Sequence, residues 1–285
     1  MKSFKLGIIG RPLTHSLSPI LQEYLMKING MNGVFGKYDL QERELAGFMR
    51  KVRQGLLVGF NVTSPYKQAV VAMLDEVEPL ARQINAVNTV SEKEGCLYGF
   101  NTDIVGFKNS LKKHVDDLSY YEVVILGAGG ASYAVALALL QCGVTIFSIV
   151  NRTREKAESL AQKMRLIAPG SNFSVHSFAE IQKRPSQSEI IIINTTSLGA
   201  WPVVEETPLA DSDIFLNAIV VDIVYNPLQT RFLKLASKKA ALTIDGLDML
   251  IFQGIAALEI WSRVSVEYEY EAIRALLSEN MDSDE

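Results

Sequence analysis

The chain has 285 residues, 48% of them hydrophobic and 21% charged, with a formal net charge of −4. That length supports two compact domains with buried cores, while the charge gives no general attraction to nucleic acid or to an anionic membrane. No apolar run reaches the roughly 18 residues that a membrane span needs, and two cysteines with three scattered histidines offer neither a disulfide framework nor metal-ligand spacing, so a cytoplasmic enzyme with an organic cofactor and no metal is expected.

In the first third, residues 4–10, 34–40, 56–63 and 86–91 carry the branched and aromatic side chains of strands, and 96–100 adds a fifth. Helical periodicity fills 19–29, 43–54 and 66–74 between them. A second series begins at 122–126 and continues at 145–150, 190–193 and 220–223. Strands alternating with helices predict an α/β fold of parallel strands joined by crossover helices. Residues 101–114 lie between the two series, which puts the connection at about 104–118 and divides the chain into a first domain, 1–105, and a second, 106–245. From Gly246 the pattern is helical, with Leu250, Ala257, Leu258 and Trp261 on one face, and 246–285 is expected to pack back on the first domain.

The second series opens with Val123–Val124–Ile125–Leu126 running into Gly127–Ala128–Gly129–Gly130–Ala131–Ser132 and an alanine-rich helix. Gly127 permits a tight turn, Gly129 lets backbone approach a pyrophosphate, and the helix N-terminus offers free N–H groups to its charge. This reads as the phosphate loop of a Rossmann-like, doubly wound nucleotide domain. Ser132 stands where the third glycine of that fingerprint is usual, and glycines also serve plain helix-on-sheet packing. The next strand ends in Asn151–Arg152–Thr153, where an NAD-selective domain carries Asp or Glu. Arg152 and Lys156 instead favour the 2′-phosphate of NADP, the plainer alternative being a helix capped by Thr153 beside a solvated arginine.

In the first domain, the turn after residues 4–10 places Ser16 and Ser18 before Pro19, with Ser18 as the expected N-cap. Two hydroxyls at the positive end of a helix suit a small carboxylate. Asn61, Thr63 and Lys67 follow another strand, at the edge where open α/β sheets bind ligands. Lys67 sits in the first turn of the helix expected over 66–74, where its charge opposes the dipole and points to a role beyond structure. Asn88–Thr89 and Asn101–Thr102–Asp103 are further polar clusters. Whether Lys67 and Asp103 meet is open at this level.

In order along the chain, HSLSP (15–19), NVTSPYK (61–67), AVNT (86–89), NTDIVG (101–106), GAGGA (127–131), NRT (151–153), DIVYNP (222–227) and the stretch from Gly246 to Gln253 resemble the shikimate dehydrogenase family. The resemblance implies an N-terminal substrate domain, a nucleotide domain, and reversible reduction of 3-dehydroshikimate to shikimate with NADPH on the route to chorismate and the aromatic amino acids. It implies small-molecule partners without nucleic acid or membrane, in a monomer or homodimer. By the same resemblance, Lys67 and Asp103 are catalytic, Ser16 and Ser18 hold the substrate carboxylate, Thr63 and Asn88 its ring substituents, and Tyr225 and Gln253 close the pocket. Gly127, Ala128, Gly129, Gly130 and Ala131 cradle pyrophosphate; Asn151, Arg152, Thr153 and Lys156 meet the adenosine end; Thr196, Ile223 and Gly246 lie near the nicotinamide half. Three positions depart from the family pattern: Asn85 replaces a usual glycine, Tyr133 a common arginine, and Asp248 a small residue. The alternatives are a broader quinate/shikimate dehydrogenase, a paralogue acting on another cyclic hydroxy acid, and a module that senses NADP without turnover.

Overall fold

The computed structural model describes residues 3–185 and 189–281. The first apolar runs become β1 (Ser3–Gly10), α1 (Ser18–Ile28), β2 (Asn32–Asp39), α2 (Leu45–Arg53), β3 (Gly59–Val62), β4 (Glu76–Val77), α3 (Pro79–Ile84), β5 (Thr89–Lys93) and β6 (Cys96–Phe100). They build a six-stranded sheet in the order β2-β1-β3-β5-β6-β4. β1 pairs in parallel with β2 and β3, but β5 runs antiparallel to both β3 and β6. The expected all-parallel arrangement gives way here because β5 and β6 are joined through Glu94 and Gly95, both at positive φ, the conformation of a tight hairpin turn. Ile9, Phe48, Phe60 and Val62 lie in the core beneath this sheet, with the Phe48 and Phe60 rings edge to face at 5.3 Å. Each such aromatic contributes about 1.5–3 kcal/mol by leaving water.

The helix expected over 66–74 does not form. Residues beyond β3 turn instead, and only Ala69–Met73 is helical, as a 3₁₀ segment. The Lys67 carbonyl accepts from Val87 N at 2.8 Å and is lost to an α-helical ladder. The dipole argument for Lys67 therefore falls. Ser18 is likewise not a side-chain cap: it is the first residue of α1, its N–H lies 3.4 Å from Ser16 Oγ, and Leu17 occupies the cap position.

α4 (Thr102–Lys112) leads to β7 (Glu122–Leu126), α5 (Gly130–Gln141), β8 (Ile146–Val150), α6 (Arg154–Ile167), β9 (Asn172–His176), α7 (Phe178–Gln182), β10 (Ile190–Asn194), β11 (Ile219–Asp222), α8 (Arg231–Ala236) and β12 (Leu242–Ile244). The second sheet has the order β12-β11-β10-β7-β8-β9, every pair parallel. Its order reverses at β7, the switch point where such sheets bind nucleotides. β9 and β12, the two edges, went unread in the sequence because short, half-covered edge strands carry little apolar signal.

α9 (Leu247–Ser262) and α10 (Tyr270–Glu279) complete the chain. Leu250, Ala257, Leu258 and Trp261 are all buried, and the Trp261 indole donates to Val90 O at 2.9 Å. By contacts the chain divides into Met1–Gly106 with Leu250–Met281, and Phe107–Met249, so both crossings fall inside helices, α4 and α9. Among the described residues no helix is long and apolar enough to cross a membrane, and no group of side chains could hold a metal ion.

Candidate active site

Three segments of the first unit bring their polar side chains to one point: the turn after β3, the start of β5 and the start of α4. Lys67 Nζ lies 2.5 Å from Asp103 Oδ2. Asp103 is in the first turn of α4, where the helix dipole favours a carboxylate. Its other oxygen accepts from Asn88 Nδ2 at 2.8 Å, and the second N–H of that amide goes to Thr102 Oγ1 at 2.9 Å. Asn88 Oδ1 accepts from Thr102 N at 2.7 Å and from the Thr89 hydroxyl at 3.0 Å, and Thr89 accepts from Asn61 Nδ2 at 3.1 Å. Donors thus run one way, from Asn61 through Thr89 and Asn88 to the Asp103 carboxylate. The chain fixes which end of the Asn88 amide faces Asp103, and it leaves the carboxylate as an acceptor for Lys67. With side-chain exposures of 18% and 7%, Lys67 keeps an edge open while Asp103 is almost enclosed. An ammonium has three N–H donors, so one bond to Asp103 leaves others for an oxygen gaining negative charge.

Ser16 is half-buried and Ser18 buried at the start of α1. Thr63 follows β3, its N–H on Ile9 O at 2.9 Å. Gln253, on α9, is buried, and its Nε2 donates back to Leu250 O at 2.9 Å. Tyr225 belongs to the second unit, half-buried beyond β11.

In that unit Gly127 has φ +117°, and a Cβ there would fall 2.6 Å from Thr195 Oγ1, so glycine is required twice over. Gly129 differs: a Cβ there would meet nothing within 4 Å, an open approach beside the N-terminus of α5. Gly130 and Ala131 are half-buried at that terminus, and Ala128 is buried. Ser132, in the third-glycine position, ties the loop: Gly129 N donates to its hydroxyl at 3.0 Å, which lies 2.8 Å from Thr195 Oγ1. Beyond β8, Asn151 Nδ2 donates to Thr153 O at 2.9 Å. Thr153 holds the cap position of α6 without a side-chain bond, so its expected capping hydroxyl is not used. Arg152 and Lys156 are exposed, and among the described residues neither side chain meets a carboxylate. Arg154, which no motif singled out, pairs with Glu158 at 2.8 Å. Open room at Gly129, free N–H groups at α5 and two uncommitted cations fit a dinucleotide bearing a 2′-phosphate. Thr196 is held by Asn194, half-buried Ile223 follows β11, and Gly246 N donates to Val224 O at 3.2 Å.

Two family models match this chain: the shikimate dehydrogenase substrate binding domain over residues 8–90, and shikimate/quinate 5-dehydrogenase over 109–245. The chain belongs to the shikimate dehydrogenase family. A Moorella thermoacetica protein named shikimate dehydrogenase (NADP(+)) is 39% identical over 260 residues, covering 90% of this chain and 87% of that one. The crystal structure of the Thermus thermophilus shikimate 5-dehydrogenase in complex with NADP(H) and shikimate superposes with a TM-score of 0.84 at 32% identity, over 98% of this chain and 100% of that one. A ligand-free 5-ketofructose reductase of a Gluconobacter species does so with a TM-score of 0.83 at 34% identity, over 98% and 99%.

Against the family pattern, the three departures have structural accounts. Asn85 adopts φ 53°, the left-handed conformation glycine takes most easily and asparagine tolerates. Tyr133 is buried, with Lys163 Nζ 5.9 Å from the centre of its ring. Asp248 is buried, with Lys113 Nζ at 3.7 Å and His114 Nε2 at 3.5 Å.

Proposed function

We propose that this chain is an NADP-dependent shikimate dehydrogenase, an oxidoreductase acting on a CH–OH group that interconverts 3-dehydroshikimate and shikimate in aromatic amino-acid biosynthesis. The observation that carries the reading is the Lys67–Asp103 pair at the end of a one-way hydrogen-bond chain, in the unit matched by the substrate-binding model. The cofactor, when bound, supplies or takes the hydride. Lys67 donates a proton to the carbonyl oxygen as negative charge builds there, and takes it back in the oxidative direction. Asp103 orients the ammonium and hydrogen-bonds the neighbouring hydroxyl. Ser16 and Ser18 hold the carboxylate, Thr63 binds a ring substituent, and Gln253 closes the pocket. Asn88 acts mainly through Asp103, since both its N–H groups are committed. The loop 127–131 and Asn151, Arg152, Thr153 and Lys156 bind the pyrophosphate and 2′-phosphate; Thr196, Ile223 and Gly246 face the nicotinamide half. The same reading assigns a cytoplasmic enzyme, monomeric or homodimeric.

The purified chain tests this through NADPH formation from NADP⁺ with shikimate and with quinate, and through NADPH consumption with 5-ketofructose. Shikimate is expected to give the highest kcat/KM, roughly 100-fold above quinate, about the discrimination an enzyme reaches against a substrate that merely adds a hydroxyl. Quinate equal to shikimate returns the broader dehydrogenase. Turnover of none of the three, with NADPH still bound, returns the sensing module.

A further inference from the structure

Asp222 is the last residue of β11 and has no exposure to solvent. Among the described residues no lysine, arginine or histidine pairs with it, and three neutral donors surround it instead. Asn194 Nδ2 at 2.9 Å and Val224 N at 3.0 Å reach Oδ1, and the Thr230 hydroxyl at 2.7 Å reaches Oδ2. Burial nevertheless pushes the carboxyl up to about 7, and the charge of Asp245, beyond β12, adds to the rise. A core that needed only filling is better served by an apolar residue, because an unpaired buried carboxylate opposes folding.

What the carboxylate does is visible one residue pair away. β10 and β11 run in parallel with Asn194 opposite Asp222, at the strand ends where open sheets meet their ligands. Asn194 turns its amide nitrogen to Asp222 and to Leu198 O at 3.3 Å, which leaves its oxygen to accept from Thr196 N at 3.0 Å and Thr196 Oγ1 at 2.7 Å. Asp222 Oδ1 accepts from both Asn194 Nδ2 and Val224 N, and an oxygen holding two N–H donors only accepts, so it dictates this orientation of the amide whether or not the other oxygen carries a proton. The same group holds Val224 N, and Asn194 O accepts from Ile223 N at 3.1 Å, so the turns after both strands hang on the Asp222–Asn194 pair.

We propose that Asp222 is a positioning residue for the nicotinamide half of the cofactor, acting through the Asn194 amide on the Thr196 turn. The proposal rests on the NADP-dependent reading above. The sequence held a signal for it, a carboxylate inside the apolar string Ile219–Val220–Val221–Asp222–Ile223–Val224.

Calorimetric titration of the full-length chain with NADPH and with 2′,5′-ADP, which lacks the nicotinamide, tests it. In Asp222→Ala the Kd for NADPH should rise about tenfold, the loss of one good hydrogen-bond set, while that for 2′,5′-ADP stays within about twofold. Asp222→Asn keeps an acceptor toward Asn194 and Val224 with its amide turned to the Thr230 hydroxyl, and should retain NADPH affinity within about threefold. Equal weakening of both ligands in Asp222→Ala, or of neither, overturns the proposal. Should that variant not fold, Asn194→Ala and Thr196→Val cut the same relay further along and are held to the same two-ligand comparison. The titrations use no shikimate, so a parent that fails to oxidise shikimate sinks the substrate reading alone. A parent that turns over, with NADPH affinity unmoved in the variants, sinks this inference alone.

Discussion

At the scale of single residues, the site depends on which atoms are already committed. Lys67 spends one N–H on Asp103 and keeps the rest for substrate, whereas Asn88 has no N–H left. Lys67→Ala should therefore lower kcat by on the order of 100- to 10,000-fold with a smaller change in the KM for shikimate, the range of a positioned acid or base. Steady-state rates with saturating NADP⁺ check this, and kcat within about threefold of the parent rejects the role. Arg152 is uncommitted in a different sense, exposed and without a carboxylate partner among the described residues. Arg152→Ala is expected to cut kcat/KM with NADP⁺ by on the order of 10- to 100-fold, the worth of a charge-assisted phosphate contact, and to leave NAD⁺ nearly unchanged. Equal losses with both cofactors would mark a structural arginine.

At the scale of elements, the positions of both sites follow from strand ends and from what terminates them. β7 stops at Gly127, whose conformation lets the chain turn into α5, and Ser132 then fastens that turn to Thr195 after β10. The junction of β12 and α9 is tighter still. A Cβ on Gly246 would overlap the Ile223 carbonyl after β11, a backbone atom that cannot swing aside. Gly246→Ala is expected to destabilise the fold by roughly 1–3 kcal/mol, as overpacking does. In a chain of this size that lowers the melting midpoint by roughly 2–10 °C. A thermal melt unchanged within experimental error would show that the junction can relax.

At the scale of the whole molecule, one buried carboxylate should be legible in the pH dependence of unfolding. Asp222 holds its proton up to about 7 when folded, against 3.8 for an ordinary aspartate, so between those values the folded chain binds more proton than the unfolded one. The stability this group contributes is complete below the lower value and is lost as pH rises through the upper one, a loss on the order of 4 kcal/mol. Asp222→Asn does not titrate and should lack this slope. Urea unfolding of parent and variant between about pH 4 and 7, the window those two values bracket, is expected to show the variant gaining on the parent as pH rises. Parallel curves would contradict the buried titration. Glu122 runs the other way. Burial raises its carboxyl, but the Arg184 and Ser148 hydrogen bonds outweigh that and hold it below the usual value, so its stabilisation is lost only as pH falls.

Legible in the sequence were the α/β class, the glycine turn at 127–131, the cations beyond β8 and the strings that carry the family. These are local: periodicity, turn residues and charges at strand ends act within a few positions of one another. The pattern misled over 66–74, where it is helical but Val87, 20 positions on from Lys67, takes the Lys67 carbonyl. It was silent on β9 and β12, and on the antiparallel course of β5, which a two-residue turn decides. Tertiary structure alone joined Lys67 to Asp103, showed the Asn88 amide fully spent, and set Asp222 beside Asn194. Those pairings join residues far apart in sequence through hydrogen bonds whose direction depends on every other donor in the network, and no spacing along the chain encodes that.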